Sequence, residues 1–302
     1  MSRRRKGRDI SGIVLLDKPA GYSSNQAVQK VRWLFQARKA GHTGALDPFA
    51  TGMLPICLGE ASKTAGFMLD ADKSYEATAV LGRATATGDT EGETVRDEKV
   101  PDLSAGDIDA ALARFTGEIR QVPPMYSALK HEGRPLYALA REGKTVQREA
   151  RAITIHSLEL LDWNSPELVF RVHCSKGTYV RTLAEDIGND LGSCAHLRAL
   201  RRLTVGPFSE SGMQTLEDLE AKAESGALDE VLLPVDAGLV DWPEIRLDEI
   251  RETRFRHGNP VPVDERVSGQ VRVYSESGRL LGLGEITAEE TLKPRRLMHL
   301  PA

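Results

Sequence analysis

Gly41–Ala61, "GHTGALDPFATGMLPICLGEA", sets one aspartate, Asp47, directly before a proline, with glycines on the approach and an apolar run beyond. Pro48 fixes its own φ and biases Asp47 towards extended backbone, while Gly41 and Gly44 let a ligand or another chain segment come close to the main chain. Two readings stand side by side. The aspartate is a turn residue capping local N–H groups, or it is a carboxylate held out as nucleophile or base. "MLPICLG", next in line, predicts a short strand, so regular structure anchors one side of the loop.

Upstream, "GIVLLDKPAG" (12–21) predicts a short buried strand ending in a turn, and "SSNQAVQKVRWLF" (23–35) a helix. Ser23 or Ser24 is its N-cap, and Ala27, Val31, Leu34 and Phe35 recur at helical spacing. Downstream, "ASKTAGFMLDADK" predicts a short helix and "SYEATAVLG" a strand with Tyr75 near its start. Residues 84–110 carry eight Asp or Glu against two Lys or Arg, which predicts a surface loop before a helix capped by Ser104. Residues 120–151 reverse the balance, seven Lys or Arg against three Glu, with Tyr126 and Tyr137 interleaved.

"ITIHSLELLDW" and "ELVFRVHCS" predict two strands, the second alternating Leu168, Phe170, Val172 and Cys174 on one face. "KGTYVRTLAEDIGNDLG" predicts a helix with Thr178 as N-cap, and "AHLRALRRLTVGPF" an arginine-bearing strand. Residues 210–250 hold twelve Asp or Glu against two Lys or Arg, which reads as a connector. Beyond it, "VRVYSESGRLLGLGEI" predicts a hairpin around Ser277-Gly278 and "RRLMHL" a last strand.

Bulk properties narrow the function. Apolar residues make up 40% of the 302, enough for a real core, while a net charge of −4 means that any nucleic-acid contact must be a local basic patch. Cys57, Cys174 and Cys194 are scattered, form no CxxC and read as reduced structural thiols in a cytosolic protein. No metal-ligand spacing appears, and no run approaches a membrane span. "IVLL" is too short for a signal-peptide core, so Arg3 to Arg8 read as a disordered basic tail. "GKT" at 143–145 lacks the earlier glycine of a phosphate-binding loop.

Besides Asp47, three groups carry candidate chemistry. Arg181, if it reaches Asp47, holds that carboxylate ionised and oriented; otherwise it is a surface arginine. Tyr75 is a half-buried strand tyrosine or an aromatic face for stacking a base. His42 is a loop histidine, with no serine or cysteine placed to form a triad with it. No second carboxylate has the spacing of a glycosidase pair.

Taken together, the Asp47 stretch, "GIVLLDKPAGYSSN", "KSYEATAVLG", "VPPMYSALKHEGRPLYALAREG", "CSKGTYVRTLAEDIG" and "AHLRALRRLTVG" resemble, in content and order, the TruB family of tRNA pseudouridine synthases. These enzymes isomerise uridine 55 in the T loop. The resemblance implies an α+β catalytic domain with a mixed, largely antiparallel central sheet over residues 1–245, and a thumb-like RNA-binding insertion near 120–151. A small β-rich, PUA-like RNA-binding domain would occupy residues 246–302. By the same resemblance Asp47 is the catalytic aspartate, Tyr75 the active-site tyrosine and Arg181 the partner of the carboxylate. Tyr179 and Leu200 contact the substrate nucleotide, His42 sits where the bent T loop is held, and Lys18 of "DKP" supports the site.

The chemistry suits these residue types. Breaking C1′–N1 and joining C1′ to C5 is redox-neutral, so no cofactor or metal is implied, but a carboxylate at the sugar and a surface that retains the loosened base are needed. The base must first be flipped out of its loop, at roughly a few kcal/mol of lost stacking. The basic segment 120–151 with Arg198, Arg201 and Arg202 is then expected to meet phosphates. The resemblance implies a cytoplasmic monomer acting on the tRNA T stem-loop with no guide RNA and no membrane. Two other classes stand beside it: a tRNA-folding protein in which catalysis is incidental, and a guide-dependent relative working inside a ribonucleoprotein, against which the compact length and absence of lysine-rich tails argue.

Overall fold

In the computed structural model, which describes residues 7–264 and 267–300, the run after Gly12 forms β1 (Gly12–Lys18). It is apolar without alternation because both its faces are covered. Val14 and Leu16 enter the main core beneath the first helix, while Ile13 and Leu15 enter a second core that includes Leu280, Leu283 and Met298. Helix α1 (Ser24–Leu34) starts with a capping box: Ser23 Oγ accepts from Gln26 N–H, and Gln26 Oε1 accepts from Ser23 N–H. Ala27, Val31 and Phe35 from the expected stripe are fully buried.

Strands β2 (Ala40–His42) and β3 (Thr51–Leu58) flank the Asp47 loop. A 3₁₀ turn and α2 (Ala65–Leu69) lead to β4 (Lys73–Leu81), whose odd-numbered residues are all buried. The acidic stretch expected as loop contains a small ribbon, β5 (Arg83–Thr85) with β6 (Thr94–Asp97), before the Ser104-capped α3 (Ala105–Arg114). The basic stretch holds β7 (Gly117–Gln121), a short hairpin of β8 (Lys130–His131) and β9 (Arg134–Pro135), and α4 (Leu136–Arg141). Then come β10 (Arg151–Asn164), β11 (Glu167–Cys174), α5 (Val180–Asp190) and β12 (Ala195–Val205). Leu168, Phe170, Val172 and Cys174 all point inward, as alternation requires.

The central sheet runs β1-β3-β12-β4-β11-β10-β7, with β2 added on β3. Every pairing is antiparallel except β12 with β3, which meet at Arg201–Thr51 and Arg202–Gly52. That makes the sheet mixed and largely antiparallel, and the architecture α+β. Gly52 has φ +96°, and a Cβ there would stand 2.3 Å from the Arg202 carbonyl oxygen, so the close parallel contact demands glycine.

Residues 210–250, expected as a connector, are folded. Thr215 and Asp218 form a capping box at α6 (Leu216–Ser225), whose Leu216 and Leu219 join the main core. The acids occupy its solvent face. The remaining elements are β13 (Glu244–Leu247), α7 (Glu249–Arg256), β14 (Val261–Pro262), β15 (Gly269–Ser275), β16 (Leu280–Ile286) and β17 (Thr291–Leu297). They form a separate five-stranded sheet, ordered β13-β15-β16-β17-β14, in which β15 and β16 make the expected hairpin. The strand from "RRLMHL" begins earlier than expected, at Thr291, because it pairs with β16 from Leu292 onward. Phe67 packs edge-on against Trp242 where the two parts meet. Of the basic tail, Arg3 to Lys6 lie outside the described residues, while Arg8 pairs with Asp229. The three cysteines are buried and unpaired. Among the described residues no helix is long and apolar enough to cross a membrane.

Candidate active site

Three elements clamp the Asp47 loop. From β1, Lys18 Nζ donates to the carbonyls of Pro19 (2.8 Å), Tyr22 (2.7 Å) and Pro48 (3.3 Å). From α1, Ser24 Oγ accepts from Leu46 N–H (2.7 Å) and donates to Leu46 O (2.9 Å). From β12, Arg202 donates through Nη2 to Gly44 O (3.0 Å) and through Nε to Met53 O (2.6 Å), bridging both ends of the loop. Arg202 is 1% exposed, so it is not the phosphate contact expected of it; its guanidinium is consumed by main-chain carbonyls. Arg201 and Arg198 stay accessible to solvent, the first paired with Asp17 and Glu210 and the second with Glu167.

Arg181, the second residue of α5, reaches Asp47. Its Nε lies 2.9 Å from Asp47 Oδ2, and it is itself 5% exposed. The rest of the guanidinium donates to Thr87 O (2.6 Å), Tyr126 O (2.7 Å) and Asp89 Oδ2 (3.3 Å). A buried arginine thus stands between two carboxylates, one facing the cavity and the other, Asp89, sealed behind it. Burial pushes the Asp47 carboxyl up from its ordinary range; Arg181 and Lys18 pull it down, and Asp89 pushes with the burial.

The helix start that aims Arg181 is not capped by Thr178, whose hydroxyl donates to Ser175 O (3.0 Å). The N-cap is Tyr179, and Gln121 holds it from β7, accepting from Tyr179 N–H (2.9 Å) and donating to Tyr179 O (3.1 Å). A two-residue side-chain amide bridge between distant elements leaves no local pattern to read.

Asp47, Tyr75, Tyr179, Arg181 and Leu200 share the wall of one cavity of about 360 Å³, with Tyr126 and Ser127 contributed by the basic segment. Tyr75 is 8% exposed, and burial raises its phenol above the ordinary value. Of the expected site residues, Lys18 and His42 do not line this wall. Lys18 acts from behind by fixing Pro48. His42 Nδ1 accepts from Gly44 N–H (3.2 Å), and burial, helped by Arg202, holds its imidazole below its usual range, as an acceptor role needs. Sequence reasoning missed Asp89 and Lys73 and gave Arg202 another role; Lys73 and Arg202 both belong to the cavity wall. Asp89 Oδ1 accepts from Glu91 N–H (3.0 Å) in an Asx turn, so in sequence it is one more acid of a loop.

Burial pushes two amines, Lys18 and Lys73, down to about 8. Their unfolded values lie near 10.5, so between these limits the unfolded chain binds more protons and stability rises with pH. The thiols of Cys57 and Cys174, pushed up to about 12 and about 11 from 9.0, work oppositely above pH 9. Unfolding free energy in urea is therefore expected to climb from pH 8 to 9 and level off beyond, with a shallower climb in Lys18→Met.

Known proteins resemble this chain along its whole length. A family model described as TruB family pseudouridylate synthase (N terminal domain) matches residues 32–180. Models for the tRNA pseudouridylate synthase B C-terminal domain and for pseudouridine synthase II TruB, C-terminal, match residues 181–240 and 243–298. The tRNA pseudouridine synthase B of Pseudomonas aeruginosa (strain UCBPP-PA14) is 52% identical over 299 residues, covering 98% of each chain. That of Ectopseudomonas mendocina (strain ymp) is 52% identical over 303 residues, covering 99% of each. Among solved structures, one of a Cbf5-Nop10-Gar1 complex aligns with a TM-score of 0.74 at 26% identity, covering 95% of this chain and 84% of the other. One of an H/ACA RNP bound to a substrate RNA containing 2′-deoxyuridine aligns with a TM-score of 0.75 at 24% identity, covering 99% and 92%.

Proposed function

The chain belongs to the TruB family and is a tRNA pseudouridine synthase, isomerising uridine to pseudouridine in tRNA; from that premise we propose that its target is uridine 55 of the T loop, flipped into the Asp47 cavity. The observation that carries this reading is the 2.9 Å contact of Arg181 with Asp47 in a cavity walled by Tyr75, Tyr179 and Leu200. A carboxylate, its fixed counter-charge and an aromatic wall are the parts the isomerisation requires.

The Asp47 carboxylate attacks C1′ as the C1′–N1 bond breaks, and the base leaves with the bonding electron pair. Tyr75 retains the loosened uracil while it turns. C5 then attacks C1′, the carboxylate departs, C5 gives up its proton and N1 gains one. Arg181 keeps Asp47 ionised before attack and supports its departure. His42 shapes the Gly44 turn that faces the displaced loop. Residues 1–245 carry the chemistry, the segment 120–151 meets the RNA, and residues 246–302 add RNA contacts. The protein acts as a cytoplasmic monomer with no guide RNA.

Purified protein incubated with an unmodified tRNA transcript, without added RNA, is expected to convert position 55 and no other uridine, as read by nucleotide-resolution mapping. Isomerisation at another position, or only after a guide RNA is supplied, overturns the proposal.

A further inference from the structure

We propose that Lys73 is a further catalytic residue, whose ammonium stabilises the uracil anion released when the C1′–N1 bond breaks. The inference rests on the Asp47-centred reading above and adds the group that meets the leaving base.

Lys73 opens β4 two residues before Tyr75, and strand alternation puts both side chains on the same buried face. Both line the cavity with Asp47. Lys73 is 8% exposed, yet among the described residues no carboxylate comes within ion-pairing distance of it. Its Nζ donates to two main-chain carbonyls, Leu69 O (3.0 Å) and Ala71 O, which leaves one N–H of the three. A desolvated ammonium with a donor to spare is costly to keep, and such groups concentrate where ligand charge completes them.

The other cations around the cavity are already engaged. Arg181 is spent on Asp47, Asp89 and two carbonyls, Arg202 on the carbonyls of Gly44, Ala45 and Met53, and Lys18 on three more. When Asp47 bonds to C1′, one negative charge moves from the carboxylate to the departing uracil, where it is shared over O2 and O4. A preorganised cation in a water-poor cavity lowers the barrier to that transfer. Lys73 keeps its proton throughout; the charge returns to Asp47 when C5 attacks C1′, and the C5 proton and the N1 proton balance.

Protonation of Lys73 is set by its surroundings. Burial, helped by Arg202 of β12, brings its amine down to about 8, against the opposing pull of Cys174 of β11 and of Asp72 and Asp70 beyond α2. It shares the cavity wall with Asp47, Tyr75, Tyr126, Tyr179, Arg181 and Arg202.

Lys73→Met and Lys73→Arg should be compared with the parent on unmodified tRNA, with kcat, KM and tRNA Kd measured separately. Lys73→Met is expected to lower kcat by about 10²- to 10³-fold, the scale of removing one charge-stabilising donor, with KM and Kd changed less than about threefold. Lys73→Arg keeps kcat within about tenfold at pH 7, because the charge is restored. As arginine does not deprotonate, its kcat/KM relative to the parent rises about tenfold from pH 7 to 9. Unchanged kcat in Lys73→Met overturns the proposal, and so does a loss confined to Kd, which marks a phosphate contact. Should Lys73→Met fail to fold by circular dichroism, a flat Lys73→Arg ratio across pH overturns it instead. An active Asp47→Ala sinks the underlying reading; an inactive Asp47→Ala beside a fully active Lys73→Met sinks this inference alone.

Discussion

Asp47→Asn is expected to lower kcat by roughly 10⁴-fold or more, the scale of losing a nucleophile, while tRNA affinity holds and the melting temperature stays level or rises. The amide has nearly the same shape, so Ser24, Lys18 and Arg202 still clamp the loop through main-chain atoms that the substitution does not touch. What disappears is the negative oxygen. The stability effect follows from sign. Burial raises the Asp47 carboxyl above its unfolded value, so its ionised form weighs against the fold once pH exceeds the folded value. Asn removes that penalty and the repulsion from Asp89, leaving Arg181 paired with Asp89 alone. Activity and stability moving apart is the signature of a charge held in place for chemistry. A variant that retains measurable isomerisation, or that unfolds in a thermal melt, refutes this account.

Arg181→Met should cost both activity and stability. The guanidinium is 5% exposed and holds Asp47, Asp89, Thr87 O and Tyr126 O together. Removing one partner of a buried ionic group strands the others, typically at about 3–5 kcal/mol, and kcat should fall by roughly 10³-fold, in line with loss of preorganised charge. The pH profile separates this from simple unfolding. Without the guanidinium nothing of equal strength opposes the burial that pushes Asp47 up, so the acidic limb of kcat/KM shifts to higher pH. Arg181→Met combined with Asp89→Asn should regain most of the lost stability, since the second uncompensated carboxylate is gone, but not the lost rate. Denaturant midpoints for the four members of that cycle test the coupling. An unchanged acidic limb shows that Asp47 is not the group Arg181 serves.

The strands and helices with regular burial were legible in the chain. Alternation at Leu168 to Cys174 and the capped stripes at Ser23 and Ser104 pointed to elements the structure contains, because one buried face imposes a period. Where two faces are buried, as in β1, the period vanishes and only the apolar run remains. The acidic stretches misled for a related reason: charge reports the outer face, so α6 with its inward Leu216 and Leu219 read as a connector, and Asp89 as loop surface.

By itself the sequence determined the kind of protein: a glycine-flanked Asp-Pro loop followed by a strand, with the accompanying motifs in order, is a long and specific pattern written in contiguous residues. Only the tertiary structure decided which charges face the cavity. Arg202 looked like a phosphate contact and is buried under the loop; Lys73 fell at the end of a stretch read as a short helix and stands in the cavity; Asp89 lies behind Arg181 from a stretch with no motif. Those assignments depend on desolvation and on pairings across the parallel β3–β12 contact and the α5 start, between residues far apart in the chain, and neither quantity has a local signature.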